Sequence, residues 1–183
     1  MKRSVFSTLV FLFCMSMIYG QTADNGKGKE TKQEPKKERV ALKNLEGTSV
    51  NVNAKNNFAA EFKDASNVQW TRSKNFDEAT FTRNNEKVTA YYDYDGNLVG
   101  TTTQKKFTDL PEKGRQAIKD KYKDYTAGPV IFFDDNEANE TDMILWSTQF
   151  DDEDAYFVEL TKGANKIVVQ VNSFGTVTLF KNL

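Results

Sequence analysis

One order of elements runs through this chain twice: a short helix, then alternating strands, then a second helix and a second strand set. Residues 57–65 read as a helix, because Phe58, Phe62 and Ala65 fall at helical spacing. Strand-like runs follow at 68–72, 79–83, 88–92 and 97–103. The sharpest turn signal is Asp93-Tyr94-Asp95-Gly96-Asn97, where Gly96 can adopt the positive φ of a bulged hairpin loop. Residues 110–123 form the clearest helix, with Leu110, Gly114, Ala117, Ile118 and Tyr122 on one stripe. Asp109 and Glu112 resemble a capping box, and Pro111 sits in the first turn, where its missing N–H costs nothing. Five more strands are expected at 127–133, 142–150, 155–161, 166–171 and 176–181.

The two passes match at their ends. Phe62-Lys63-Asp64-Ala65 parallels Tyr122-Lys123-Asp124-Tyr125, and Asp95-Gly96-Asn97-Leu98-Val99 parallels Phe174-Gly175-Thr176-Val177-Thr178. Phe62 to Gly96 spans 34 positions and Tyr122 to Gly175 spans 53, so the second copy carries 19 extra residues, expected between Asp134 and Asp154. The fold class is therefore α+β: two tandem units, each a helix covering one face of an antiparallel β-meander. The other sheet face is left to meet something.

Upstream, Lys2 and Arg3 precede a mostly apolar stretch from Val5 to Ile18, and Gly20 closes it. That is a secretory signal peptide, too short for a permanent membrane anchor, with cleavage expected near Gly20. Cys14 lies inside it, preceded by Phe13 where a lipoprotein signal wants a small residue. Cleavage leaves 23 Lys/Arg against 26 Asp/Glu, a net −3, and no cysteine, so the exported domain depends on an ordinary core. Residues 22–39 hold six Lys/Arg, four Asp/Glu, two Gly, one Pro and a single Ala, too little apolar surface to offset ordering. Val40, Leu42, Leu45, Gly47 and the alternating Val50-Asn51-Val52 read as a short hairpin. The expected divisions are a signal peptide at 1–20, a disordered charged leader at 21–39, an N-terminal hairpin at 40–55, and units at 56–104 and 105–183.

Several of these residues resemble a known family. Phe58, Phe62 and Ala65 ahead of Val68-Gln69-Trp70, an aromatic at Phe81, the run Ala90-Tyr91-Tyr92-Asp93-Tyr94-Asp95-Gly96-Asn97, and Leu110-Pro111 opening the second helix look like the PepSY-like exported proteins. That family is also described as similar to the β-lactamase inhibitor protein (BLIP). The resemblance rests on motifs over 56–125 and on pattern over 126–183. It implies envelope or secreted proteins of tandem helix-plus-sheet units that bind or inhibit other proteins. Its motifs are turn and core positions, which specify fold rather than activity.

Histidine is absent and Cys14 is the only cysteine, which removes histidine general bases, Ser–His and Cys–His nucleophiles, and Cys/His metal sites. Near-balanced charge gives no basic footprint for nucleic acid. The sharpest local feature is 134–159, with ten acids and no Lys or Arg. It reads either as two solvated loops or as a docking surface for a basic partner, with Asp151, Asp152, Glu153 and Asp154 foremost. Asp134, Asp135, Asn136 and Glu137 supply hard oxygens of the kind calcium takes. In the expected strand 142–150, Ile144, Trp146 and Phe150 alternate with Met143 and Leu145, so both faces are apolar. Core packing explains this, and the alternative is that Trp146 with Tyr156 anchors a protein partner.

The expected function is non-catalytic binding, inhibitor-like in kind, of a protein in the envelope or outside the cell, through an open sheet face and acidic loops. It calls for no cofactor, no nucleic acid and no transmembrane anchor. The alternatives are a calcium- or glycan-binding envelope protein and a hydrolase built on two facing carboxylates.

Overall fold

Short alternating runs separated by tight turns build a sheet-dominated molecule, and the computed structural model describes residues 42–151 and 153–183. The expected signal peptide, the leader, Cys14 and Asp152 lie outside the described residues. Helix α1 (Val52–Glu61) precedes β1 (Ser66–Arg72), β2 (Asp77–Arg83), β3 (Glu86–Tyr92) and β4 (Leu98–Lys105). A short 3₁₀ turn (Phe107–Asp109) leads to α2 (Glu112–Lys121) and β5 (Thr126–Asp135). Then come β6 (Met143–Leu145), β7 (Thr148–Phe150), β8 (Ala155–Lys162), β9 (Asn165–Asn172) and β10 (Val177–Asn182). Eight strands form one sheet in the order β1-β2-β3-β4-β5-β8-β9-β10, antiparallel throughout. Among the described residues, the strands β6 and β7 pair only with each other.

Residues directly opposite in an antiparallel pair share a face, so the register sorts the side chains. Phe81, Val88, Thr103, Phe132, Tyr156, Val171 and Val177 form one continuous cross-strand row. Both helices pack on this face. Ala54, Phe58 and Phe62 of the α1 segment meet Ala79, Phe81, Val88, Ala90 and Tyr92. Leu110 and Ile118 of the α2 segment meet Val130, Val158, Leu160, Ile167 and Val169. On the reverse face, Gln69, Thr80, Thr89, Thr102, Phe133 and Ala155 form the corresponding row.

The segment between β5 and β8 packs on that reverse face. Met143 and Phe150 of the β6–β7 hairpin are buried against Phe133, Ala155, Phe157 and Val168, with Ile144, Leu145, Trp146 and Phe180 around them. The β6–β7 hairpin thus covers the helix-free face over the second half of the sheet, whose strands are β5, β8, β9 and β10. The same cluster reaches Phe76, Tyr91 and Val99 at one end of β1–β4, and beyond that end Thr71, Thr80, Thr82 and Thr89 keep solvent contact.

Four expectations are corrected. Residues 42–51 contain no strand, so the N-terminal hairpin is not formed, and α1 begins at Val52 rather than at residue 57. Asn51 is the reason: its side chain accepts from the Asn53 N–H at 2.9 Å and caps the helix, overriding the Val50-Asn51-Val52 alternation. The single strand at 142–150 is two strands joined at Trp146-Ser147, whose φ values of 48° and 58° reverse the chain. This fold-back is why both alternating sets there are apolar. Asp109 does not box α2; it accepts from the Lys106 N–H at 2.8 Å and closes the 3₁₀ turn, while Pro111 occupies the N-cap of α2.

Candidate functional site

The helix-free face of β1–β4 has an uncharged centre. Thr80 and Thr89 pair through their hydroxyls at 3.0 Å, and Tyr91 pairs with Thr102 at 3.1 Å. Thr80, Thr82, Thr89 and Tyr91 are half-buried and Gln69 and Thr71 are exposed, a degree of solvent contact that the helix-covered residues Ala79, Phe81 and Ala90 lack. The next row runs Thr71, Glu78, Tyr91, Gly100. Gly100 carries no side chain because a Cβ there would lie 2.6 Å from both the Asp134 carbonyl oxygen and the Phe133 ring. Phe133 therefore bounds this open area where the covered half begins.

A hollow of about 400 Å³ lies where this floor meets the β6–β7 hairpin. Phe76, Glu78 and Tyr91 line it from the sheet side, Ser73 from the β1–β2 loop, and Ile144 and Ser147 from the hairpin. The Phe76 and Tyr91 rings meet edge-on with centroids 6.0 Å apart. Burial pushes the Glu78 carboxyl above its usual range, with the Ser73 hydroxyl partly opposing it. Burial likewise raises the Tyr91 phenol, the Thr102 hydroxyl opposes, and the Glu78 charge adds to the rise.

A second hollow, about 430 Å³, lies on the helix face and includes Phe62, Arg83, Val88, Lys105, Phe132 and Asp134 in its lining. Its cations are already engaged: Lys105 pairs with Glu86 at 3.1 Å and Arg83 with Asp64 at 3.0 Å. Burial is the main cause raising the Asp134 carboxyl, Asp154 adds to it, and Lys105 opposes. Internal pairing of this kind leaves less for a ligand than the floor around Glu78 offers.

The structure separates several residues that sequence placed together. Trp146 packs on the helix-free side against Phe157 and Phe180, at 5.9 and 6.2 Å between ring centroids. Tyr156 lies on the helix side against Phe132 at 4.6 Å, so the two occupy opposite faces and form no common anchor. Asp151, Glu153 and Asp154 are exposed, and Asp154 accepts from the Asp135 N–H at 2.9 Å. Asp134 and Asp135 are successive residues of β5 and alternate between faces. Asn136 spends its side chain locally, donating to the Leu98 carbonyl at 2.7 Å and accepting from the Ala138 N–H, while Glu137 is exposed beside it. Among the described residues no group of three metal-ligating side chains is gathered. No described helix is long and apolar enough to cross a membrane.

Sequence reading missed Phe76 and Glu78 because it started the second strand at residue 79. The signal was present: Glu78 is out of phase with Asp77, Ala79 and Phe81, all of which are buried on the helix side.

No family model matches the chain, and no curated protein sequence matches it. Solved structures do. A BLIP-like protein from Bacteroides fragilis aligns over 75% of this chain and 89% of its own, with TM-score 0.58 and 14% identity. A DUF2874 family protein from Bacteroides uniformis aligns over 73% and 90%, with TM-score 0.61 and 14% identity. Another from Bacteroides ovatus aligns over 74% and 89%, with TM-score 0.60 and 15% identity. The chain therefore has an α+β, BLIP-like fold.

Proposed function

We propose that this is an exported, non-catalytic binding protein that docks a partner protein on the helix-free face of β1–β4. The observation that carries the reading is the asymmetry of that face. The β6–β7 hairpin covers it over the second half of the sheet, while among the described residues Thr71, Thr80, Thr82 and Thr89 of the first half keep solvent contact. Helices occupy the opposite face of both halves, so among the described residues the threonine floor is the broad sheet surface open to docking. The BLIP-like fold and the signal-like residues 1–20 agree with an exported binder.

The same reading takes the two halves as copies of one PepSY-like unit. Their local geometry supports it. In the first half, the Asp93 side chain accepts from the N–H groups of Asp95 and Asn97, and Gly96 has φ +84°. In the second, the Asn172 side chain accepts from Phe174 and Thr176, and Gly175 has φ +75°. A Cβ on Gly96 would lie 2.7 Å from the Ala54 nitrogen, and one on Gly175 would lie 2.7 Å from the Gly114 nitrogen. Each turn abuts the first turn of its own helix. Residues 136–154 are then an insertion between the first and second strands of the second copy.

The test is retention of an envelope partner by the wild-type chain and two variants. Thr89→Lys puts a charge at the centre of the bare floor, and the Asp151→Lys/Glu153→Lys/Asp154→Lys triple variant reverses the acidic loop. Loss of retention with Thr89→Lys but not with the triple variant is expected. Retention unaffected by Thr89→Lys contradicts the docking face, and loss with the triple variant alone assigns docking to the acidic loop.

A further inference from the structure

We propose that the hollow between the β2–β3 floor and the β6–β7 hairpin is a guanidinium site, receiving an arginine side chain from the partner protein. It rests on the docking face proposed above and specifies the chemistry that face recognises.

Charge is the first argument. Glu78 lies on the floor of the hollow, half-buried, and among the described residues it forms no ion pair. The acids that do pair include Asp77 with Arg72, Asp64 with Arg83 and Glu86 with Lys105. Around Glu78, the Ser73 hydroxyl supplies a hydrogen bond but no charge, and the floor hydroxyls beyond it are satisfied by each other. Its rim residue Lys74 is exposed and makes no ion pair with Glu78 among the described residues, and Lys87 stands at the far end of β3. A carboxylate held in a partly dry recess gains most from a cation that brings its own apolar stem.

Shape is the second. Phe76, Tyr91 and Ile144 give the hollow apolar walls, and Glu78 gives it one charged end. An arginine matches this better than a lysine. Its guanidinium is flat, weakly hydrated, able to stack on an aromatic ring and able to reach a carboxylate with two N–H groups at once. Tyr91 stands opposite Glu78 in the β2–β3 register, and its hydroxyl bond to Thr102 fixes the ring as a wall of the hollow.

The hollow also depends on the hairpin. Ile144 and Ser147 form its outer wall, and Trp146 holds that wall in place by packing against Phe157 and Phe180. Trp146 thus acts indirectly, by positioning the wall.

The experiment needs no partner protein, so its failure is separable from failure of the docking face. The full chain is titrated with Nα-acetyl-arginine methylamide while amide and methyl NMR shifts are followed. Saturable shifts at Glu78, Tyr91 and Ile144 are expected, with Kd on the order of millimolar for so small a probe. The citrulline analogue, which keeps the shape and loses the charge, is expected to shift none of them. Glu78→Gln is expected to weaken the arginine probe at least tenfold. Equal shifts from the citrulline analogue, an unchanged Kd in Glu78→Gln, or shifts confined to the acidic loop would each overturn the proposal. The citrulline comparison uses only the wild-type chain, so it stands whatever the variant does.

Discussion

At the scale of single residues, the strongest polar constraint is one that sequence reading did not find. Asp77 is fully buried and Arg72 partly so, and they meet through two N–H···O bonds of 2.7 Å. The same Asp77 carboxylate accepts from the Asn51 N–H at 2.8 Å, just before α1, and Arg72 donates to the Glu46 carbonyl at 2.6 Å. One pair therefore fastens the β1–β2 loop, the start of α1 and the preceding segment. Removing Arg72 leaves the Asp77 charge buried, so Arg72→Ala is expected to cost about 3–5 kcal/mol, measurable by chemical denaturation. A loss near that of an exposed pair, about 0–1 kcal/mol, would contradict the role assigned to it. Glu78, one residue on, behaves oppositely. Its folded-state pKa is raised, so ionising it subtracts stability above the raised value and nothing below the ordinary carboxylate range. Tyr91 and Lys74 are the other ionisable groups around the hollow, and burial keeps the Tyr91 phenol neutral through this range. Glu78→Gln is accordingly expected to raise Tm at neutral pH, with the gain vanishing as pH falls below that ordinary range. A gain of equal size at both pH values would contradict the assignment.

At the scale of elements, the sheet strands were legible because alternation tracks the pleat, as in Asp77, Ala79 and Phe81 facing the helices. The failures come from places where a local signal competed with a second one. Val50-Asn51-Val52 alternates like a strand, yet the Asn51 cap and the Asp77 carboxylate together fix a helix start. Trp146-Ser147 contains neither Gly nor Asn, so nothing announced a turn; burial of Met143 and Phe150 under the sheet imposes it. Left-handed backbone costs an ordinary residue about 1–2 kcal/mol, partly offset by the freedom glycine adds to the unfolded chain. Ser147→Gly is therefore expected to stabilise the protein by about 0.5–1 kcal/mol in thermal melts, and a destabilisation would show that the hairpin is held otherwise. The two glycine turns give a matched test of duplication. Gly96→Ala and Gly175→Ala each combine positive φ with a Cβ 2.7 Å from a helix nitrogen, so each is expected to cost about 2 kcal/mol or more. Costs that differ widely would argue that the two turns do not play equivalent parts.

At the scale of the whole molecule, the α+β class and the two helix-then-strand passes follow from sequence spacing, but which part of the sheet stays bare does not. That depends on the β6–β7 hairpin folding back over Phe133, Phe157 and Val168, a long-range packing event invisible to local periodicity. The candidate site was legible only in outline for the same reason. An open sheet face was expected, whereas Trp146 and Tyr156 fall on opposite sides of it and Glu78 sits in a strand end that sequence reading left out. The hairpin does two things at once: it seals the second half and walls the hollow beside the first. The most direct test of this account is amide hydrogen exchange across the whole chain with a captured partner bound and free. New protection is expected along β1–β4, centred on Thr80, Thr89 and Tyr91 and reaching Ile144. Protection falling on α1 and α2, with those strands unchanged, would contradict it.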